Sequence, residues 1–142
     1  MRFMILFQAT PDSEAGKLPD EAARAAMDEF SLKMIEAGMV LGGGGLLPSS
    51  KGARIQFSGG KKVVTDGPFT ETKELVGGFA IIQAESKEEA VAWISRAPVQ
   101  DGEIEIRQIF EGSDLPPEVA NWERRAKLDA LIDRANAQLN AS

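Results

Sequence analysis

The chain has 142 residues, a formal net charge of -6, and no Cys, His or Tyr. An acidic protein lacks the basic face that displaces counterions from phosphates, so neither nucleic acid nor an anionic membrane is an expected partner. Without thiol, imidazole or phenol, catalysis would fall to Asp, Glu, Lys, Arg, Ser or Thr, or to a bound cofactor. The residues themselves imply no cofactor and no metal.

A chain of this length buries about two-thirds of its unfolded surface as one domain. Met1 to Phe7 is only strand-length and lacks a cleavage site, so it reads as neither a signal peptide nor a membrane span. The cytoplasm is the expected compartment.

Arg2 to Gln8 is predicted as a strand with Phe3, Ile5 and Phe7 on one face and Met4 and Leu6 on the other. Both faces are apolar, the pattern of a strand buried on both sides. Thr10 to Gly16 reads as a polar loop. Pro19 suits a first helical position, with Leu18 before it as an unusual N-cap and Asp20 and Glu21 in the first turn. Ala23, Met27, Phe30 and Met34 recur at helical spacing, and Gly38 supplies the stop.

Met39-Val40-Leu41 opens a second strand that runs into Gly42 to Gly45. No Gly-Lys-Ser/Thr follows and no helix opens there, so the glycine run is no phosphate loop. It predicts a bulge or a close backbone approach. Arg54 to Phe57 and Lys62 to Thr65 form a hairpin around Gly59-Gly60. Phe79 to Ala84 is again apolar on both faces. Ser86 and Glu89 form a capping box before a helix with a buried stripe of Ala90, Val91, Ile94 and Ala97, ended by Pro98. Glu103 to Phe110 alternates as a half-exposed strand.

The order β-α-β-hairpin-β-α-β predicts a ferredoxin-like α+β fold, an antiparallel sheet with its main strands in the order 4-1-3-2. That order puts the two doubly apolar strands in the centre. Two helices cover only one sheet face. The other still carries aliphatics, either Leu6 or Ile5 and either Ile82 or Ile81, more than a monomer usually exposes. A second copy of the chain is the simplest cover, giving a homodimeric α+β barrel. Residues 113–142 follow as a C-terminal helical extension to the domain at 1–112. Val119, Trp122, Ala126, Leu128, Leu131, Ala135 and Leu139 give it an apolar stripe for docking in cis or across the dimer.

The stretch from Val64 to Phe79 contains Asp66-Gly67-Pro68-Phe69, then Glu71, Lys73 and Glu74, and leaves through Gly77-Gly78. Gly67 can take a positive φ, Pro68 pushes it from the α region, and Asp66 can close the turn with its carboxylate. This segment resembles the signature of the YCII-related, DGPF-domain family, and the resemblance covers residues 1–112. It implies a dimeric α+β barrel with Asp66 at the mouth of a cleft. An apolar cleft would favour the protonated carboxyl and suit Asp66 to general acid–base work. Relatives often carry a His after the second helix, and the wider group is linked to a His–Asp pair. Here that segment is Ala97-Pro98-Val99-Gln100-Asp101-Gly102, so such a mechanism does not transfer.

Further ligand-binding candidates are Arg107, which could orient an anion, and Lys73 and Glu71 of the loop. Solvated loop charges, and pairing of Arg107 with Glu105, are the plainer uses of these residues. A hard-cation site from Asp66, Glu71 and Glu74 has suitable ligand types but matches no known spacing. Two functions follow. One is a non-catalytic binding or regulatory dimer with a small-molecule cleft; the resemblance implies a link to sigma factors, beside which relatives are often encoded. The other is a cofactor-free lyase- or isomerase-like enzyme using Asp66 as general acid or base.

Overall fold

The computed structural model describes residues 1–71, 74–117 and 122–141. They form two compact units, Met1–Ile109 and Phe110–Ser142. In the first, four strands make one antiparallel sheet: β1 (Arg2–Gln8), β2 (Val40–Gly45), β5 (Val76–Gln83) and β6 (Ile104–Gln108). Their order is β2-β5-β1-β6. The two doubly apolar strands, β1 and β5, are central, and the charged strand β6 is at an edge, as the ferredoxin-like reading requires. Between β5 and β6 the chain also forms helix α3 (Lys87–Ile94), and between β1 and β2 helix α2 (Glu21–Glu36).

Register decides which way each central side chain points. Phe3 lies opposite Ile82 and Ile5 opposite Ala80, while Met4 lies opposite Ile81 and Leu6 opposite Phe79. Directly paired residues share a face and neighbours along a strand alternate. Phe3, Ile5 and Ile82 are fully buried and join Phe30 and Met34 of α2 with Ala90 and Ile94 of α3 in one core. Each such large side chain contributes about 1.5–3 kcal/mol by leaving water. Met4, Leu6, Phe79 and Ile81 point the other way and are only partly buried. Of the four aliphatics that could face outward, Leu6 and Ile81 therefore do; Ile5 and Ile82 are core.

Four local details of the helices differ from the pattern expected of the sequence. A four-residue helix, α1 (Pro11–Glu14), replaces the loop: Thr10 and Ser13 bond each other's backbone N–H in a capping box. α2 starts at Glu21 because Asp20, not Leu18, is the N-cap; its carboxylate accepts from the Ala23 N–H at 2.8 Å. Pro19 thus precedes the helix, and Ala23 is exposed. At α3 the Ser86 hydroxyl accepts from the Glu89 N–H at 3.0 Å, but the Glu89 carboxylate takes the N–H of Glu85, one residue before the cap. α3 ends at Ile94, well before Pro98, and Val91 is 42% exposed rather than part of the buried stripe.

The glycine run lies in β2, with the strand bulging between Val40 and Gly42. A Cβ on Gly43 would lie 2.6 Å from the Phe79 carbonyl oxygen and 2.9 Å from the Ala80 Cα, so close approach to β5 excludes any side chain there. The hairpin is a separate two-stranded sheet, β3 (Ala53–Ser58) with β4 (Lys61–Asp66), closed through Gly59-Gly60 at positive φ. In the second unit, α4 (Trp122–Ala141) is a 20-residue helix with Leu128, Leu131, Ile132 and Leu139 exposed. No helix among the described residues is long and apolar enough to cross a membrane.

Candidate functional site

The signature loop is tied down where β4 ends. The Gly67 N–H donates to the Gly52 carbonyl at 3.0 Å, continuing the hairpin past its last paired residues. Gly67 is not at positive φ; the reason for glycine is space, since a Cβ would overlap the Ser49 carbonyl. The Gly67–Pro68 peptide is cis. Past the proline, the Phe69 N–H donates to the Ser49 hydroxyl at 3.0 Å, and the Arg54 guanidinium stacks 3.9 Å above the Phe69 ring.

Ser49 is the junction of this region. Its hydroxyl donates to one oxygen of Glu14 at 2.5 Å, while its N–H donates to the other oxygen at 3.0 Å. Three segments far apart in sequence meet here: α1 through Glu14, the helical turn Ser49–Lys51, and the signature through Phe69. The contacts are partly buried, where hydrogen bonds resist competition from water. Sequence reasoning missed Glu14 and Ser49. The only trace of them was the Thr10-x-x-Ser13 capping pattern that forms α1 and so presents Glu14.

Asp66 stands apart from this network. It is the last residue of β4, paired with Ala53, and exposed. The expected turn closure is not made: among the described residues its carboxylate accepts no hydrogen bond, and backbone and Ser49 contacts hold the turn instead. Glu71 is also exposed, and its carbonyl accepts from the Glu74 N–H. Lys73 lies outside the described residues. Among those described, Asp66, Glu71 and Glu74 do not gather as a cation site.

Arg107 lies on the open sheet face. It is opposite Met4, and Glu105 is opposite Leu6, so both charged side chains share the face of Met4, Leu6, Phe79 and Ile81. Arg107 Nη1 is 3.7 Å from Glu105 Oε2, with the side chains 70% and 55% exposed. Such a long, solvated pair is weak, worth at most about 1 kcal/mol. The guanidinium can exchange that partner for a ligand anion at little loss. An apolar floor with a cation at its margin can receive a small molecule that has an apolar body and an acidic group.

The sheet topology and this face define a ferredoxin-like α+β protein. The YCII-related domain matches residues 1–113, and the chain belongs to that family. Over 105 residues it is 32% identical to the uncharacterized protein R00369 of Rhizobium meliloti (strain 1021), covering 70% of this chain and 85% of the relative. A solved structure with a similar fold is the 5-chloro-2-hydroxyhydroquinone dehydrochlorinase TftG of Burkholderia phenoliruptrix AC1100, in complex with 2,5-dihydroxybenzoquinone. That likeness covers 82% of this chain and 100% of the other at a TM-score of 0.47 and 18% identity.

Proposed function

We propose that this protein is a homodimer whose two open sheet faces enclose a small-molecule cleft, and that it serves a non-catalytic binding or regulatory role. The observation that carries the reading is the partly buried apolar face of Met4, Leu6, Phe79 and Ile81 on the two central strands, with Arg107 at its margin. Pairing two such faces removes apolar surface from water at about 25 cal/mol per Å². Arg107 then sits beside a closed apolar space and selects ligands carrying a carboxylate or phenolate. On the protein side, the family resemblance makes a sigma factor the first partner to test.

Light scattering gives the mass of the native protein, and NMR screening with small aromatic carboxylic acids tests the cleft. The expected result is a dimer in which ligand shifts the methyl signals of Leu6 and Ile81, and in which Arg107→Ala weakens binding of the acids. A monomer at micromolar concentration, or ligand shifts confined to other regions, would sink the reading.

A second reading has its own observation. The Asp66 carboxylate makes no structural hydrogen bond among the described residues, which leaves it available to move a proton on a bound substrate. In that case the same fold is a cofactor-free lyase- or isomerase-like enzyme with Asp66 as general acid or base. Turnover that disappears in Asp66→Asn while ligand binding persists favours this reading over the first.

A further inference from the structure

We propose that the β3–β4 hairpin is an arm that docks on a second copy of this chain. Every residue of both strands is exposed. One face presents Ile55, Phe57 and Val64, exposed by 56%, 69% and 64%. These three share that face because Ile55 pairs with Val64, and Phe57 follows two residues after Ile55. The hairpin forms a sheet of its own, and among the described residues no third strand lies along either edge. A lone two-stranded hairpin is marginal in water and needs a further surface against its apolar side.

The base of the hairpin is fixed. Gly67 bonds back to Gly52, Arg54 stacks on Phe69, and Phe69 is tied through Ser49 to Glu14. A ribbon anchored at one end with an apolar face in water is built to reach another body.

Charge indicates which body. From Lys51 to Asp66 the segment carries four cations, Lys51, Arg54, Lys61 and Lys62, and a single acid, Asp66. The rest of the chain holds 21 of the 22 acids but only 12 of the 16 cations. The arm is basic and the body acidic, so the charge pattern is complementary between copies. A second copy supplies both the acidic surface and a matching arm, giving a closed twofold exchange. The inference rests on the dimer reading above and adds a second contact to it.

The test is sedimentation equilibrium of the full chain and two variants. Ile55→Ser/Phe57→Ser/Val64→Ser should raise the dimer dissociation constant at least about tenfold, with the circular dichroism of the sheet-and-helix body retained. Lys61→Glu/Lys62→Glu should weaken the dimer at low salt, with the difference shrinking as salt screens it. The chain has no cysteine, so Phe57→Cys carries a single thiol-attached benzophenone. Irradiation should give a covalent dimer. If the wild-type chain is a monomer, both the dimer and the arm are overturned. If it is a dimer whose dissociation constant is unchanged in the triple variant, or whose benzophenone cross-links only within its own chain or to unrelated protein, the arm is overturned and the sheet-face dimer stands. An unchanged constant at low salt in the charge-reversed variant overturns the acidic body as its seat.

Discussion

The carbonyl oxygen of Ser49 occupies the space that a side chain at Gly67 would need. The obstacle is backbone, which cannot rotate away as a flexible side chain could. Gly67→Ala should therefore push the signature off the Ser49–Lys51 turn. Overpacking against a fixed group costs about 1–3 kcal/mol, occasionally more. Urea denaturation of the variant should show a loss at or above that range.

Ser49 makes the second link between the same segments. In Ser49→Ala the Phe69 N–H and the Glu14 carboxylate both lose a partner. Partial burial lets water recover some of this, so a loss of about 1–2 kcal/mol is expected. Hydrogen exchange locates it: the Phe69 amide should exchange faster while the β1 and β5 amides keep their protection.

The two central strands offer a paired experiment. Leu6→Asp and Ile81→Asp place a charge on the open face, and should give a folded protein that no longer dimerises. Ile82→Asp places it in the core beside Phe3, where exposure is 0% and, among the described residues, no charged side chain is buried to pair with it. Burying an unpaired charge is far costlier than losing an exposed contact, so this variant should fail to fold. Equal melting temperatures for Ile81→Asp and Ile82→Asp would contradict the assignment of faces.

Asp66→Asn separates function from structure. The carboxylate is exposed and makes no structural hydrogen bond among the described residues, so stability should change by no more than about 0.5 kcal/mol. Any effect should appear in ligand affinity or turnover. A large stability loss would show that the acid supports the fold after all.

Much of the fold was legible in the sequence because it rests on local periodicity. Strands that are apolar on both faces belong in the centre of a sheet, and β1 and β5 are there. Glycines side by side between two alternating runs mark a hairpin, and β3 and β4 form it. The glycine run before Leu46 marks a bulge and a close approach, which Gly43 makes against β5.

Alternation could not say which face of β1 and β5 meets the helices, since both are apolar and a strand can be turned over without changing its pattern. Packing decided it: Phe3, Ile5 and Ile82 fit against Phe30, Met34 and Ile94, leaving Leu6 and Ile81 on the open face. The same limit applied at the candidate site. The signature's composition marked the segment, but its bonds run to Gly52 and Ser49, and Ser49 is held in turn by Glu14, 35 residues before it. A hydrogen bond between polar groups so far apart leaves no periodic trace in a chain. Only tertiary structure could show that Gly67 is required by a neighbouring carbonyl, that Ser49 holds the turn assigned to Asp66, and that the Asp66 carboxylate accepts no hydrogen bond among the described residues.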